Sequence, residues 1–221
     1  MKAVIFDLDG VIADTARFHF VAWQQLATEL GITIDGQFNE QLKGISRTES
    51  LARILAHGGK TGLYSQVQLD QFAERKNDNY LQLISRLDAN DILPGIVAFL
   101  DEIAAAGLSV ALASASRNGP FILSKLGLSE RFDTIVDPAQ LAAGKPAPDI
   151  YLTAAAQLNV APSDCVGVED ALAGVEAINA AKMVSIAVGD ETELAPANHI
   201  FASTAGLKLA TVKSVWEAAQ L

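Results

Sequence analysis

Short apolar runs at 3–6, 109–113, 134–136, 165–168, 184–188 and 199–201 alternate with stretches in which hydrophobic residues recur every three or four positions. Runs this short and this apolar suit strands covered on both faces, and the 3.6-residue period between them suits the helices that do the covering. The pattern predicts an α/β fold with a doubly wound parallel sheet. One interval breaks the alternation. After the first run no strand pattern returns until residue 109, and Phe20, Trp23, Ala27 and Leu30 keep helical spacing up to Gly31. Ser46-Arg47-Thr48-Glu49 has the form of a capping box opening a helix through Leu51, Ile54 and Leu55, which Gly58-Gly59 ends. A third helix is expected over 66–87, with Leu69, Phe72, Lys76, Tyr80, Leu83 and Leu87 on one stripe. The economical reading is a helical cap domain over 16–87, inserted after the first strand into a core domain made of 1–15 and 88–221.

Lys76 is out of place on that stripe. A lysine there either snorkels its ammonium to water or marks a face that lines a polar cleft. Charge favours the cleft. The chain of 221 residues carries a formal net charge of -10, yet residues 37–86 hold seven of its 16 basic groups against five acids. A cap with net positive charge closing over an acidic sheet edge would draw small anions between them. The negative total field argues against nucleic acid and anionic membranes as partners. Half the residues are hydrophobic, ample for a real core, and no run of 18 or more is apolar. The single cysteine, Cys165, lies in an apolar run and reads as a buried strand residue in a reducing compartment. These features lead us to expect a cytoplasmic protein.

Ligands of open α/β sheets bind beyond the carboxyl ends of the strands. The residues that follow the apolar runs are Asp7-Leu8-Asp9-Gly10, Ser114-Ala115-Ser116-Arg117-Asn118 and Glu169-Asp170, with Lys145-Pro146 in a loop before a further helix. Two carboxylates at one strand end and two at another make a hard, all-oxygen site suited to Mg²⁺. A lysine beside them would balance the charge of a phosphoryl group. Singly, each of these residues is common on surfaces; their joint placement at successive strand ends is not. Gly59-Lys60-Thr61 imitates the end of a phosphate-binding P-loop, but that motif needs glycine where Ile54 stands and a preceding strand.

Asp7-Leu8-Asp9-Gly10-Val11, Ser114, Lys145-Pro146 and Glu169-Asp170, in this order and over the whole chain, resemble the haloacid dehalogenase superfamily of phosphotransferases. The resemblance implies that Asp7 is a nucleophile that becomes phosphoaspartate and that Asp9 is the general acid and base. It implies that Mg²⁺ is held by Asp7, the Asp9 carbonyl and Asp170, with Glu169 nearby or liganding. Ser114 and Lys145 would then contact the phosphoryl oxygens.

The helical insertion decides between water and a sugar hydroxyl as acceptor. Its residues look like those of the β-phosphoglucomutase family: Thr15, His19, Lys43-Gly44, Arg47, Ser50 and Arg75-Lys76-Asn77, joined by Ser116, Arg117 and Asn118 from the core. That likeness implies a mutase that interconverts β-D-glucose 1-phosphate and 6-phosphate. β-Glucose 1,6-bisphosphate would be the intermediate and the priming phosphate donor. Arg47, Ser116 and Asn118 would hold the distal phosphate, while Thr15, His19 and Lys76 would bring Asp9 into place on cap closure. Trp23 is read as packing. The alternatives are a phosphatase of small sugar phosphates on the same core, and a sugar-phosphate binding module without chemistry. Small sugar phosphates are the expected ligands and a monomer the expected state.

Overall fold

The computed structural model describes residues 1–221. Six strands, β1 Ala3–Phe6, β2 Ser109–Leu112, β3 Thr134–Ile135, β4 Cys165–Glu169, β5 Val184–Val188 and β6 His199–Phe201, form one sheet. All pair in parallel, in the order β3-β2-β1-β4-β5-β6. The expected parallel sheet is present, with ends displaced by a residue in places. β4 runs one residue further than its apolar run, so Glu169 belongs to the strand.

Alternation along the central strand sorts its side chains between two helical layers. Val4 and Phe6 join the larger core with α5 (Ile96–Ala105), α6 (Gly119–Lys125) and α9 (Leu209–Ala218). Ala3 and Ile5 face α7 (Asp149–Gln157) and α8 (Leu172–Ala180). Phe6 meets Phe99 and Phe132 edge to face at 5.8 and 6.2 Å. Each such pair contributes about 0.5–1.5 kcal/mol beyond area burial. The second layer sits close because its sheet face is small: a β-carbon on Gly167 would come within 2.5 Å of Ile178.

Between β1 and α5 lie α1 (Ala16–Glu29), α2 (Gly36–Glu40), α3 (Arg47–His57) and α4 (Gln66–Ile84). They carry their own buried cluster, with Trp23, Leu26, Leu51, Ile54 and Leu55 in it. Tyr80, Ile84 and Leu87 instead join the main core. The two connections to the sheet run side by side: the Leu93 N–H donates to the Ile12 carbonyl at 2.9 Å, and Ala13 bridges Ile92.

Local details depart from the sequence reading. Ser46 Oγ accepts the Glu49 N–H at 3.2 Å, but the Glu49 carboxylate turns to Arg53 at 2.5 Å and leaves the box half made. The complete box opens α4, where Ser65 and Gln68 exchange bonds. That helix ends at Ile84, three residues early, and Leu87 is tucked into the core by a turn. No helix is long and apolar enough to cross a membrane.

Candidate active site

The strand order changes direction between β1 and β4, and the crevice at such a point is where open sheets take ligands. Asp7 follows β1 and Asp170 follows β4; oxygens of Asp7, Glu169 and Asp170 lie within 4.8 Å of one another. Lys145, only 1% exposed, donates to Asp7 Oδ1 at 2.6 Å and to Glu169 Oε1 at 2.5 Å. Burial alone would discharge this lysine. The two carboxylates outweigh it and hold the ammonium well above its usual pKa.

Glu169 is fully committed to the protein. Oε1 also accepts the Tyr151 hydroxyl at 3.2 Å, and Oε2 accepts the N–H groups of Asp170 and Ala171 at 2.9 and 3.0 Å. All four acceptor positions of a carboxylate are thereby filled. Gly174 makes the space, since a β-carbon there would overlap Oε1 at 1.7 Å. Glu169 thus braces Lys145, and its carboxylate stays close enough to those of Asp7 and Asp170 for the three to face one cation. Burial pushes the Asp7 carboxyl up to about 7 against the pull of Lys145, with Glu169 and Asp9 adding to the rise. Asp170 rises well above the carboxylate range through burial and the charges of Glu169 and Asp7. This surplus of buried negative charge on hard oxygens fits a divalent cation such as Mg²⁺. Gly10, at φ +83°, lets the Asp170 carboxylate reach the backbone: a β-carbon would stand 2.1 Å from Oδ2. Gly10 thus helps to seat Asp170.

Ser114, 2% exposed, follows β2. Its Oγ accepts the Ser116 N–H at 3.1 Å, which leaves its own hydrogen free to donate.

Asp9 sits apart from this cluster in its bonding. Its Oδ1 accepts the Thr15 hydroxyl at 2.5 Å and the Tyr80 hydroxyl at 3.4 Å, and His19 Nε2 stands 3.5 Å away. Lys76 Nζ lies 2.6 Å from His19 Nδ1. As an ammonium, Lys76 can only donate, so in that state Nδ1 accepts and Nε2 carries the proton that faces Asp9. That proton has no partner of good geometry. Burial and the neighbouring Lys76 lower the His19 pKa, while Asp9 pulls it back up. Lys76 itself is brought down to about 7 by burial and by Arg47. Burial works to raise Asp9, but His19, Thr15 and Lys76 prevail and hold it ionised. The stripe lysine has its cleft: Nζ lies 4.8 Å from the Trp23 ring centre and 4.7 Å from that of Tyr80.

A cavity of about 360 Å³ runs between sheet and helical segment. Asp7, Asp9, His19, Lys43, Gly44, Arg47, Ser50, Lys76, Ser116, Arg117 and Asp170 line it. Thr15, Ser114, Lys145, Glu169 and Asn118 stand behind the wall, each bonded to a residue on it or to a bridge across it. Lys43 pairs with Glu40 at 2.6 Å, and Ser50 spends its hydroxyl proton on the Ser46 carbonyl at 3.0 Å. Gly44, at φ +71°, brings its loop against Ala171. Arg47, also on the wall, donates to Asn77 Oδ1 at 2.7 Å. Its pKa falls through burial and the nearby charge of Arg117. Two guanidiniums thus stand near each other on the cavity wall.

The haloacid dehalogenase-like hydrolase family matches residues 1–182, the span that contains every one of these groups. The chain belongs to that family. Within the haloacid dehalogenase-like proteins, it is 47% identical over 217 residues to the β-phosphoglucomutase of Bacillus subtilis (strain 168), covering 98% of this chain and 96% of that one. The crystal structure of a β-phosphoglucomutase from Clostridium difficile superposes with a TM-score of 0.97 at 45% identity, over 99% and 98% of the two chains. A phosphorylated carbohydrates phosphatase of Thermotoga maritima is 31% identical over 183 residues, 82% of each chain.

Tyr80 and Tyr151 take part in the network without having been singled out as site residues; Asn77 stood among the residues that carry the family likeness, with no role given to it. Tyr80 carried a signal, lying four positions after Lys76 on the same stripe. Trp23 packs in the helical cluster as expected and also lines the cavity.

Proposed function

We propose that the chain is a β-phosphoglucomutase, an intramolecular phosphotransferase that interconverts β-D-glucose 1-phosphate and β-D-glucose 6-phosphate. The observation that carries this reading is one cavity lined both by the acids Asp7 and Asp170 and by the neighbouring guanidiniums Arg47 and Arg117. A hydrolase of one phosphate needs only the first of these groups. A mutase must hold a second phosphate while the first moves.

Lys145 fixes Oδ1 of Asp7 and leaves Oδ2 to attack phosphorus, forming phosphoaspartate and releasing the sugar oxygen. Lys145 and the free hydroxyl of Ser114 provide charge and a donor for the phosphoryl oxygens, where pre-oriented groups contribute most. Asp7, Asp170 and the Asp9 carbonyl, with Glu169 beside them, would hold Mg²⁺, which would supply further positive charge against the transferring group. Asp9, kept ionised by its neighbours, takes the proton of the attacking sugar hydroxyl in one half-reaction and returns it to the departing oxygen in the other. β-Glucose 1,6-bisphosphate is the intermediate, and it also primes Asp7. Turning over in the cavity, it presents its second phosphate to Asp7 while Arg47, Ser116, Arg117 and Asn118 receive the first.

Residues 16–87 act as a cap on a core of 1–15 and 88–221, pivoting at the Ala13–Ile92 bridge. Closure shields phosphoaspartate from water and carries Thr15, His19 and Lys76, with the Asp9 side chain, toward the substrate. The buried, lone Cys165, raised to about 11 by burial, fits a cytoplasmic enzyme, and a swinging cap works in a monomer. Arg47→Ala tests the distal phosphate site. We expect the KM for β-glucose 1-phosphate to rise about tenfold to a hundredfold, the range for a lost charge-assisted pair, with phosphoenzyme still formed from acetyl phosphate. An unchanged KM would remove Arg47 from substrate binding.

A further inference from the structure

Arg47 at the start of α3 and Asn118 just before α6 stand on opposite sides of the cleft, yet they donate to the same atom. Arg47 Nη2 lies 2.7 Å and Asn118 Nδ2 lies 3.0 Å from Asn77 Oδ1. A guanidinium has no acceptor, so the Asn77 amide must turn its oxygen to Arg47, and Asn118 must then offer its NH₂. Two donors converging from different walls on one oxygen is the arrangement by which proteins hold a phosphoryl oxygen.

Three further observations bear on this oxygen. The contact between Asn118 and Asn77 is the one side-chain hydrogen bond across the cleft away from its base: Tyr80 with Asp9 lies at the floor, and Arg17 with Asp91 beside the paired connections. Arg47 also has acidic neighbours, Glu74 and Asp78, whose charges it feels, but it bonds to neither. Its partner is the neutral residue. Finally, Arg117 adds a second guanidinium on the same cavity wall, close enough for Arg47 to feel its charge.

We propose that Asn77 is a positioning residue that holds the place of the distal phosphate: its amide oxygen occupies the acceptor position of a phosphoryl oxygen until a sugar phosphate arrives. The inference rests on the mutase reading above. Without substrate, Asn77 spares Arg47 and Asn118 from facing each other without an acceptor, and it tethers the helical segment to the sheet domain. A neutral amide holds a guanidinium more weakly than a phosphate dianion does, by about half for each bond, so arrival of the phosphate displaces it. Both donors then remain on opposite walls of one anion. The cleft stays bridged while the identity of the bridge changes. A carboxylate in the same place would compete with the substrate, which explains why the residue between Lys76 and Asp78 must be neutral.

Asn77→Asp and Asn77→Ala test this, using β-glucose 1-phosphate as substrate and inorganic phosphate as competitive inhibitor. The aspartate, isosteric but charged, is expected to raise both KM and the phosphate Ki by about tenfold or more with kcat little changed, the signature of ground-state competition. The alanine, which removes the competitor, is expected to leave KM at or below that of the unmodified enzyme and to enlarge the ligand-free protein in small-angle scattering as the tether is lost. An alanine variant whose KM rises as far as that of the aspartate would show Asn77 to be an ordinary substrate ligand and overturn the proposal. So would an aspartate variant with unchanged KM and Ki. Failure of the unmodified enzyme to turn over β-glucose 1-phosphate at all would instead overturn the mutase reading.

Discussion

Asp7→Asn is expected to bring turnover to background and to abolish phosphoenzyme, with the fold retained. The amide has no lone pair basic enough to attack phosphorus, so the covalent route is closed rather than slowed. Its shape is that of the carboxylate, and its oxygen can still accept from Lys145, now at 2.6 Å from Oδ1. Burial pushes the Asp7 carboxyl from 3.8 up to about 7 in the folded protein. A group that holds its proton more tightly when folded loses stabilising influence as pH climbs from about 4 to 7, so the neutral amide should flatten the metal-free stability profile across that window. Mass spectrometry after mixing with β-glucose 1,6-bisphosphate, together with thermal melts in chelator from pH 4 to 8, reads both effects. A phosphorylated variant, or one active within tenfold of the unmodified enzyme, would contradict the assignment of the nucleophile.

Lys145→Met should damage chemistry and stability together. The ammonium is 1% exposed between Asp7 and Glu169, and its loss leaves two buried carboxylates facing each other. Breaking a buried ion pair from one side costs about 3–5 kcal/mol. Loss of a pre-oriented donor at a charged transition state costs about 10²–10³ in kcat. The double variant Lys145→Met with Glu169→Gln separates the two: it removes one of the stranded charges, so we expect part of the melting temperature to return while kcat stays low. Recovery of activity with stability would show that Lys145 only supports the fold. A single variant that melts like the unmodified protein would contradict the buried network.

The sheet was legible because a central parallel strand is buried on both faces and must be written in apolar residues. All four positions of β1 are fully buried, and the acids stand where that apolarity stops. β3 and β6 at the edges are only half-buried, and their runs are correspondingly short. Capping was read less well. Ser46 and Glu49 have the right spacing, yet Arg53 one turn later offers Glu49 a full charge in place of a backbone N–H, and the stronger partner prevails. The short α2, capped by Asp35, has too few residues to show a period.

Of the site, the groups that carry charge were visible, and some of those that orient them were not. Asp7 and Asp170 announce themselves as charges just after apolar runs, and Lys145 as a charge in a loop before a helix. Tyr151 looks like any core aromatic of a helix, and only folding places its hydroxyl on Glu169. Glu169 reads as a metal ligand from its neighbour Asp170; its four donors come from three parts of the chain, and no local pattern reveals them. Asn77 is a polar residue on a charged helix until Asn118, 41 positions away, is brought against it.

The most direct test of the central claim supplies β-glucose 1-phosphate, Mg²⁺ and a trace of β-glucose 1,6-bisphosphate, and follows glucose 6-phosphate and inorganic phosphate in the same sample. A mutase that shields its phosphoaspartate yields glucose 6-phosphate over many turnovers, with little free phosphate and poor use of the α-anomer. Phosphate released in step with substrate loss would make the enzyme a phosphatase and contradict the reading of the cavity as a site for two phosphates.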